Sequence, residues 1–180
     1  MDAFINRVAV LDLRMTSGKA AVHSDMITWN NNDTNESVAK QLIAVLFGVP
    51  QISLRLNEIN SEHYEVLKFW LNFWMENREV LLDGKLKIYN PEANYSMAES
   101  ELNNRKLCVC YSKNIVEVSC DDCIIVNGTG ESFIVVRANG DFKYSIRDCK
   151  GICVNNGNQH INDVEIFAVP QSGVLQLVTI

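Results

Sequence analysis

Between Val49 and Gly84 the chain reads VPQISLRLNEINSEHYEVLKFWLNFWMENREVLLDG, and two periodicities follow one another within it. From Gln51 to Leu56, Ile52, Leu54 and Leu56 alternate with Gln51, Ser53 and Arg55, the period of two that marks a strand. Tyr64, Leu67, Trp70, Leu71 and Trp74 then recur at helical spacing, while Val66, Phe69 and Phe73 widen the apolar stripe. Asn60 or Ser61 supplies an N-cap, Glu62 and Glu65 put negative charge near the helix start, and Gly84 stops it. A stripe this wide predicts a helix held between more than one neighbour.

Upstream, Phe4, Val8, Leu11 and Met15 in residues 2–14 have near-helical spacing and predict an amphipathic helix, although Val8 to Leu13 also satisfies a strand. Thr16-Ser17-Gly18-Lys19 breaks that pattern. Ala20 to Val22 predicts a short strand that delivers His23-Ser24-Asp25 at its C-terminal end, the arrangement by which α/β barrels build their sites. After the Asn30-Asn31-Asn32 loop, Asp33-Thr34-Asn35-Glu36 resembles a capping box, and Val38, Leu42, Val45 and Leu46 give its helix an inner face that Gly48 and Pro50 end.

After Gly84 the texture changes to short strand-like runs at Leu86–Tyr89, Tyr95–Leu102, Leu107–Tyr111, Ile115–Val118, Cys123–Val126, Ser132–Arg137, Phe142–Ile146, Val164–Val169 and Val174–Thr179. Asn139-Gly140, between two such runs, predicts a two-residue hairpin, since both central residues of a type I′ turn need positive φ. Asn127-Gly128, Lys150-Gly151 and Asn156-Gly157 punctuate the rest. Short strands with turns at this spacing predict an all-β sandwich.

The 180 residues, 47% apolar and 21% charged, are ordinary globular composition. A net charge of -6 and no basic block argue against a nucleic-acid partner. No run approaches the roughly 18 apolar residues of a membrane span, and Met1-Asp2-Ala3-Phe4-Ile5-Asn6-Arg7 lacks a signal-peptide layout, so a cytoplasmic location is expected. Six cysteines, at 108, 110, 120, 123, 149 and 153, read as reduced and structural. A zinc site would have to join Cys120 and Cys123 to Cys149 and Cys153, in a region with a core of its own, and no metal is expected.

VHSDMITW (Val22 to Trp29), LFGVPQISLRL (Leu46 to Leu56), FWLNFWMENREVLLDGKL (Phe69 to Leu86) and IRDCKG (Ile146 to Gly151) together resemble the C-terminal part of retaining α-galactosidases of the melibiase type, glycoside hydrolase family thirty-six. The resemblance spans the whole chain and is densest from Val22 to Leu86. It implies the last strand-helix units of a (β/α)8 barrel over residues 1–88 and a small antiparallel β-sandwich over residues 89–180. On it, residues 2–14 match the helix after the sixth barrel strand, Ala20 to His23 the seventh strand and Asn35 to Phe47 the seventh helix. Gln51 to Leu56 match the eighth strand and Glu62 to Leu82 the eighth helix.

Retention requires two carboxylates about 5 Å apart, one the nucleophile and one the acid/base. In the family both are aspartates, and the resemblance places both upstream of this chain, so no residue here is assigned a catalytic role. Asp2 and Asp12 read as solvated. His23, Asp25 and Trp29 are the candidate substrate-binding residues, because carboxylate and imidazole groups pair with sugar hydroxyls while an aromatic ring covers the apolar face. Against that stand a turn-capping role for Asp25 and a core role for Trp29. His63 reads as a solvated first-turn residue and His160 as part of a polar loop.

The function implied is the C-terminal portion of an enzyme releasing terminal α-linked galactose by double displacement, inactive alone and without a cofactor. Its substrate, in the context of the full enzyme, would be an α-galactoside or galacto-oligosaccharide. Two barrel strands cannot close, so the first eighty or so residues are expected to need the missing N-terminal barrel portion or a second copy of the chain. The competing readings are a non-catalytic β-sandwich scaffold or carbohydrate-contacting module and, behind it, a cysteine-metal protein.

Overall fold

Asp2 accepts a hydrogen bond from the backbone N–H of Phe4 at 3.0 Å and starts α1 (Ala3–Thr16). The structure, a computed structural model, describes residues 2–18 and 20–180. Thr34 caps α2 (Asn35–Ile43) and Asn60 caps α3 (Ser61–Asp83), accepting from the N–H groups of Ser37 and His63 at 3.2 and 2.8 Å. Each cap satisfies a donor that a helix start otherwise leaves orphaned. Between the helices lie β1 (His23–Ile27) and β2 (Val49–Ile52), which pair in parallel and are joined through α2. Both strands are displaced from their sequence expectation: β1 begins where Ala20–Val22 was to end, and β2 stops at Ile52.

The register shift in β1 between His23 and Met26 has a local cause. Ser24 Oγ accepts from the N–H of Gln51 at 2.9 Å and donates to the carbonyl of Asp25 at 2.8 Å. The buried Asn6 of α1 accepts from the N–H of Asp25 at 3.1 Å and donates to its carbonyl at 3.2 Å. One side-chain amide thus takes the place of a neighbouring strand.

The rest of the chain forms β3 (Lys85–Tyr89), a 3-10 turn (Pro91–Ala93), β4 (Met97–Leu102), β5 (Arg105–Cys110), β6 (Ile115–Glu117) and β7 (Asp122–Asn127). β8 (Ile134–Arg147), β9 (Cys153–Phe167) and β10 (Val174–Thr179) complete it. They make one curled sheet in the order β3-β4-β5-β7-β10-β8. β9 runs along one side of the long β8, and the other side is shared by β6, along Val135–Arg137, and β10, along Phe142–Arg147.

Both faces of the central strands β5 and β7 are covered, which explains why they read as continuous apolar runs, whereas β9 is exposed along most of its length. Leu107, Val109, Ile124, Val126 and Val174 face the helices and join Val10, Leu42, Val66, Trp70 and Leu81 in one core. Cys108, Cys110, Cys123, Ile125, Leu175 and Leu177 face the other way, into the curl, where they meet Val136, Phe142 and Phe167.

The expected last units of a (β/α)8 barrel followed by an antiparallel β-sandwich are therefore not what the chain forms. Among the described residues there are three α-helices and a single two-stranded parallel ladder before the large sheet. That sheet is one layer rather than two, and it is mixed, with β5/β7 and β6/β8 parallel. The physical reason lies in α3: its wide apolar stripe is filled by α2 on one side and by the large sheet on the other, not by a cylinder of strands. The residue 88/89 boundary falls within β3, and the helix-side core draws on residues from both sides of it.

The Asn139-Gly140 hairpin is also corrected. β8 runs straight through it, with Asn139 opposite Asn162 and Gly140 opposite Ile161. A type I′ turn needs positive φ at both residues, and here only Gly140 has it, at 136°. The chain reverses instead at Asp148–Gly151, where Asp148 Oδ1 accepts from the N–H groups of Lys150 and Ile152, both at 2.9 Å, and Gly151 adopts φ 81°. No helix among the described residues is long and apolar enough to cross a membrane.

Candidate functional site

The parallel pair positions two loops at its C-terminal ends. Thr28–Asn31 follows β1 and Ser53–Ile59 follows β2, and between them lies an open groove of about 350 Å³ lined by Trp29, Asn30, Asn31, Ser53, Arg55 and Glu58 among others. The loops are tied to each other and to α3: Asn31 Nδ2 donates to the carbonyl of Glu58 at 2.8 Å, and Asn60 Nδ2 donates to the carbonyl of Asn31 at 3.1 Å. Asp33 Oδ2 accepts from the N–H of Asn30 at 2.9 Å, which fixes the turn that presents the asparagines. Arg55 and Glu58 form an exposed ion pair at 3.0 Å.

Trp29 is the one candidate of the three that lines this groove. It is half-buried, packs on the helix-side core, and meets the His63 ring edge-on at a centroid distance of 6.4 Å. Its indole N–H has no partner. His63 is buried rather than solvated, a correction that follows from α3 turning its first turn toward the Asp33 loop. His63 Nε2 lies 2.9 Å from the carbonyl of Asp33, which can only accept, so Nε2 carries a proton, and Nδ1 is buried without a partner. The indole N–H and the imidazole Nδ1 are both buried from solvent behind the groove.

His23 and Asp25 are placed elsewhere. His23 opens β1 at the end away from the groove, because the strand begins there rather than ending there. Asp25 is exposed at the middle of β1, and its Oδ1 accepts from the N–H of Met26 at 2.7 Å. Asp2 is the α1 cap, and Asp12 accepts from the Tyr95 hydroxyl, so neither is simply solvated. His160 lies on β9, with Nδ1 2.8 Å from Asp141 Oδ1. The groove residues that the sequence reading passed over are Asn30, Asn31, Ser53, Arg55 and Glu58. The triple-asparagine run was visible as a loop, but its facing partners sit more than twenty residues away and only the parallel pairing joins them.

Chemically, the groove offers an aromatic face, two carboxamides, a hydroxyl, a guanidinium and a carboxylate, the groups that recognise a polyhydroxylated ring. Glu58 is the single carboxylate that lines it among the described residues, and it is neutralised by Arg55. A pair of carboxylates spaced for glycosidic cleavage is therefore not assembled there. Among the described residues no group of three or more His, Cys, Asp or Glu is placed to hold a metal ion. Of the four cysteines of the zinc reading, Cys149 lies in the helix-side core, Cys120 and Cys123 lie in the curl, and Cys153 is exposed.

A second cavity, of about 500 Å³, lies between Cys110–Ile115 and Thr129–Val135. Its walls are mainly apolar, and its two charges, Lys113 and Glu131, pair with each other at 2.9 Å. No family model matches the chain, and no curated protein matches it.

Proposed function

We propose that the chain is the C-terminal portion of a retaining α-galactosidase and contributes one wall of a galactoside-binding groove without contributing the catalytic carboxylates. The observation that carries this reading is the pair of loops at the ends of β1 and β2, which bring Trp29, Asn30, Asn31, Arg55 and Glu58 around one opening. Two of the four segments that resemble the melibiase-type enzymes, Val22 to Trp29 and Leu46 to Leu56, lead into these loops and supply Trp29, Ser53 and Arg55, while Asn30, Asn31 and Glu58 lie just beyond them. The other two, Phe69 to Leu86 and Ile146 to Gly151, meet behind them, where the Trp70 indole donates to the carbonyl of Cys149. β2 pairs with β1 alone among the described residues, so its other edge is without a strand partner and a further segment or a second copy could add there, whereas Asn6 of α1 occupies the edge of β1 at Asp25.

In this reading Trp29 covers the apolar face of the sugar, the asparagine amides and Ser53 pair with hydroxyls, and the Arg55–Glu58 pair borders the opening. The competing reading, a non-enzymatic carbohydrate-contacting module, shares the groove and differs in having no catalytic partner. The purified chain is expected not to hydrolyse an aryl α-galactoside. Turnover that Glu58→Gln or Asp25→Ala abolishes would overturn the assignment of the catalytic groups to another segment.

A further inference from the structure

The cavity of about 500 Å³ between Cys110–Ile115 and Thr129–Val135 shares no lining residue with the groove at the ends of β1 and β2. Its apolar wall comes from Cys110 at the end of β5, Ile115 in β6, Phe133 just before β8, and Ile134 and Val135 in β8. Ile115 and Val135 are register partners in the parallel β6/β8 ladder. Cys110 and Ile134 are buried, Phe133 and Val135 are half-buried, and Ile115 is exposed.

Two loops complete the wall, and each uses its polar groups to hold its own shape. In the first, the carbonyl of Ser96 accepts from the N–H groups of Tyr111 and Ser112 at 2.9 and 3.0 Å. Asn114 Nδ2 donates to the carbonyls of Ser96 and Ser112 at 3.2 and 3.1 Å and to Ser112 Oγ at 3.3 Å. The second loop is built on the fully buried Asn127, whose Nδ2 donates to the carbonyl of Glu131 at 2.8 Å. Thr129 Oγ1 donates to Asn127 Oδ1 at 2.7 Å and accepts from the N–H of Glu131 at 3.0 Å. Lys113 of the first loop and Glu131 of the second then pair at 2.9 Å. The wall is thus fixed by the protein's own hydrogen bonds, and its two charges cancel each other.

A pocket built this way rewards apolar contact and offers a charged molecule no counter-ion. An anion would have to draw Lys113 away from Glu131, and a cation would have to draw Glu131 away from Lys113. The half-buried Phe133 ring adds an aromatic surface, against which another ring stacks or meets edge-on. The volume falls within the range of about 300–1,000 Å³ that small-molecule sites occupy. We propose that this cavity is a binding site for an uncharged aromatic small molecule, about the size of two or three fused rings. The proposal is independent of the galactoside reading, since the two sites share no residue and call for opposite ligand chemistry.

The test titrates the full chain, labelled at its isoleucine and valine methyls, with 2-naphthol at pH 7. It is then repeated with 2-naphthoate, which keeps the ring system and carries a negative charge. 2-Naphthol is expected to shift the methyls of Ile115, Ile134 and Val135 saturably, with a Kd of about 1 mM or tighter. 2-Naphthoate is expected to bind about tenfold more weakly or worse. Ile115→Glu, at an exposed position, should weaken 2-naphthol about tenfold, and Glu131→Gln, which frees Lys113, should narrow the gap between the two ligands about threefold. An absence of saturable shifts at these three residues, or equal affinity of the wild type for the two ligands, overturns the proposal. So do shifts of the same methyls when the ligand-free chain is diluted, the mark of a second copy seated there. The wild-type comparison decides the matter even where a variant fails to fold.

Discussion

The indole N–H of Trp70 donates to the carbonyl of Cys149 at 3.1 Å, a buried bond between the middle of α3 and the turn joining β8 to β9. Around it, Phe69 lies against Gly151 and Lys150 pairs with Glu62 at 2.7 Å, so the turn is held to the helix at three points. The helix presents its widest apolar face here, and the sheet turn supplies the one acceptor that the indole needs. Trp70→Phe keeps most of the apolar contact but strands the carbonyl. It is expected to cost about 1–3 kcal/mol, read as a lower urea midpoint at unchanged m-value.

Gly151 is required twice over. Its φ of 81° disfavours any side chain, and a Cβ there would run into the Phe69 ring. Gly151→Ala is expected to destabilise by about 1–3 kcal/mol. Gly130→Ala, at a position with open space around it, should stay within about 0.5 kcal/mol. Thermal unfolding of the two variants side by side checks the contrast.

Burial, with Glu36 and Asp148 nearby, pushes the Cys149 thiol up to about 11 from an ordinary 9.0. The folded chain therefore holds this proton more tightly than the unfolded chain does. The associated stability is fully present below the unfolded pKa and is lost as pH rises through the folded one. Chemical denaturation across pH 9 to 11 should show the wild type losing stability more steeply than Cys149→Ala over that window.

The helices were legible because their signals are local. Thr34 and Asn60 cap where a cap is expected, and the apolar spacing of residues 61–83 carries α3 to its end. The sheet was not, because which strands pair is decided far along the chain. Cys108 opposite Ile125 and Leu107 opposite Ile124 make a parallel ladder that no neighbouring residue announces. Asn139-Gly140 failed as a turn because β9, pairing along the whole of β8, holds both residues extended, and the Asp148 side chain builds the reversal instead. The groove was half legible. Trp29 was identified, but the start of β1 at His23 moved His23 and Asp25 away from it, and Arg55 and Glu58 join it only through the β1/β2 pairing.

The groove at the ends of β1 and β2 is the proposed galactoside site, and the Trp29 indole N–H, buried and without a partner, is its natural reporter. In an NMR titration with methyl α-galactoside, the Trp29 indole and the Asn30 and Asn31 side-chain amides should shift saturably, with a Kd of about 1 mM or weaker. The shifts should be lost in Trp29→Ala and reduced in Arg55→Ala, and methyl α-glucoside should bind more weakly. An absence of saturable shifts at these groups, or equal shifts with both sugars, would contradict it.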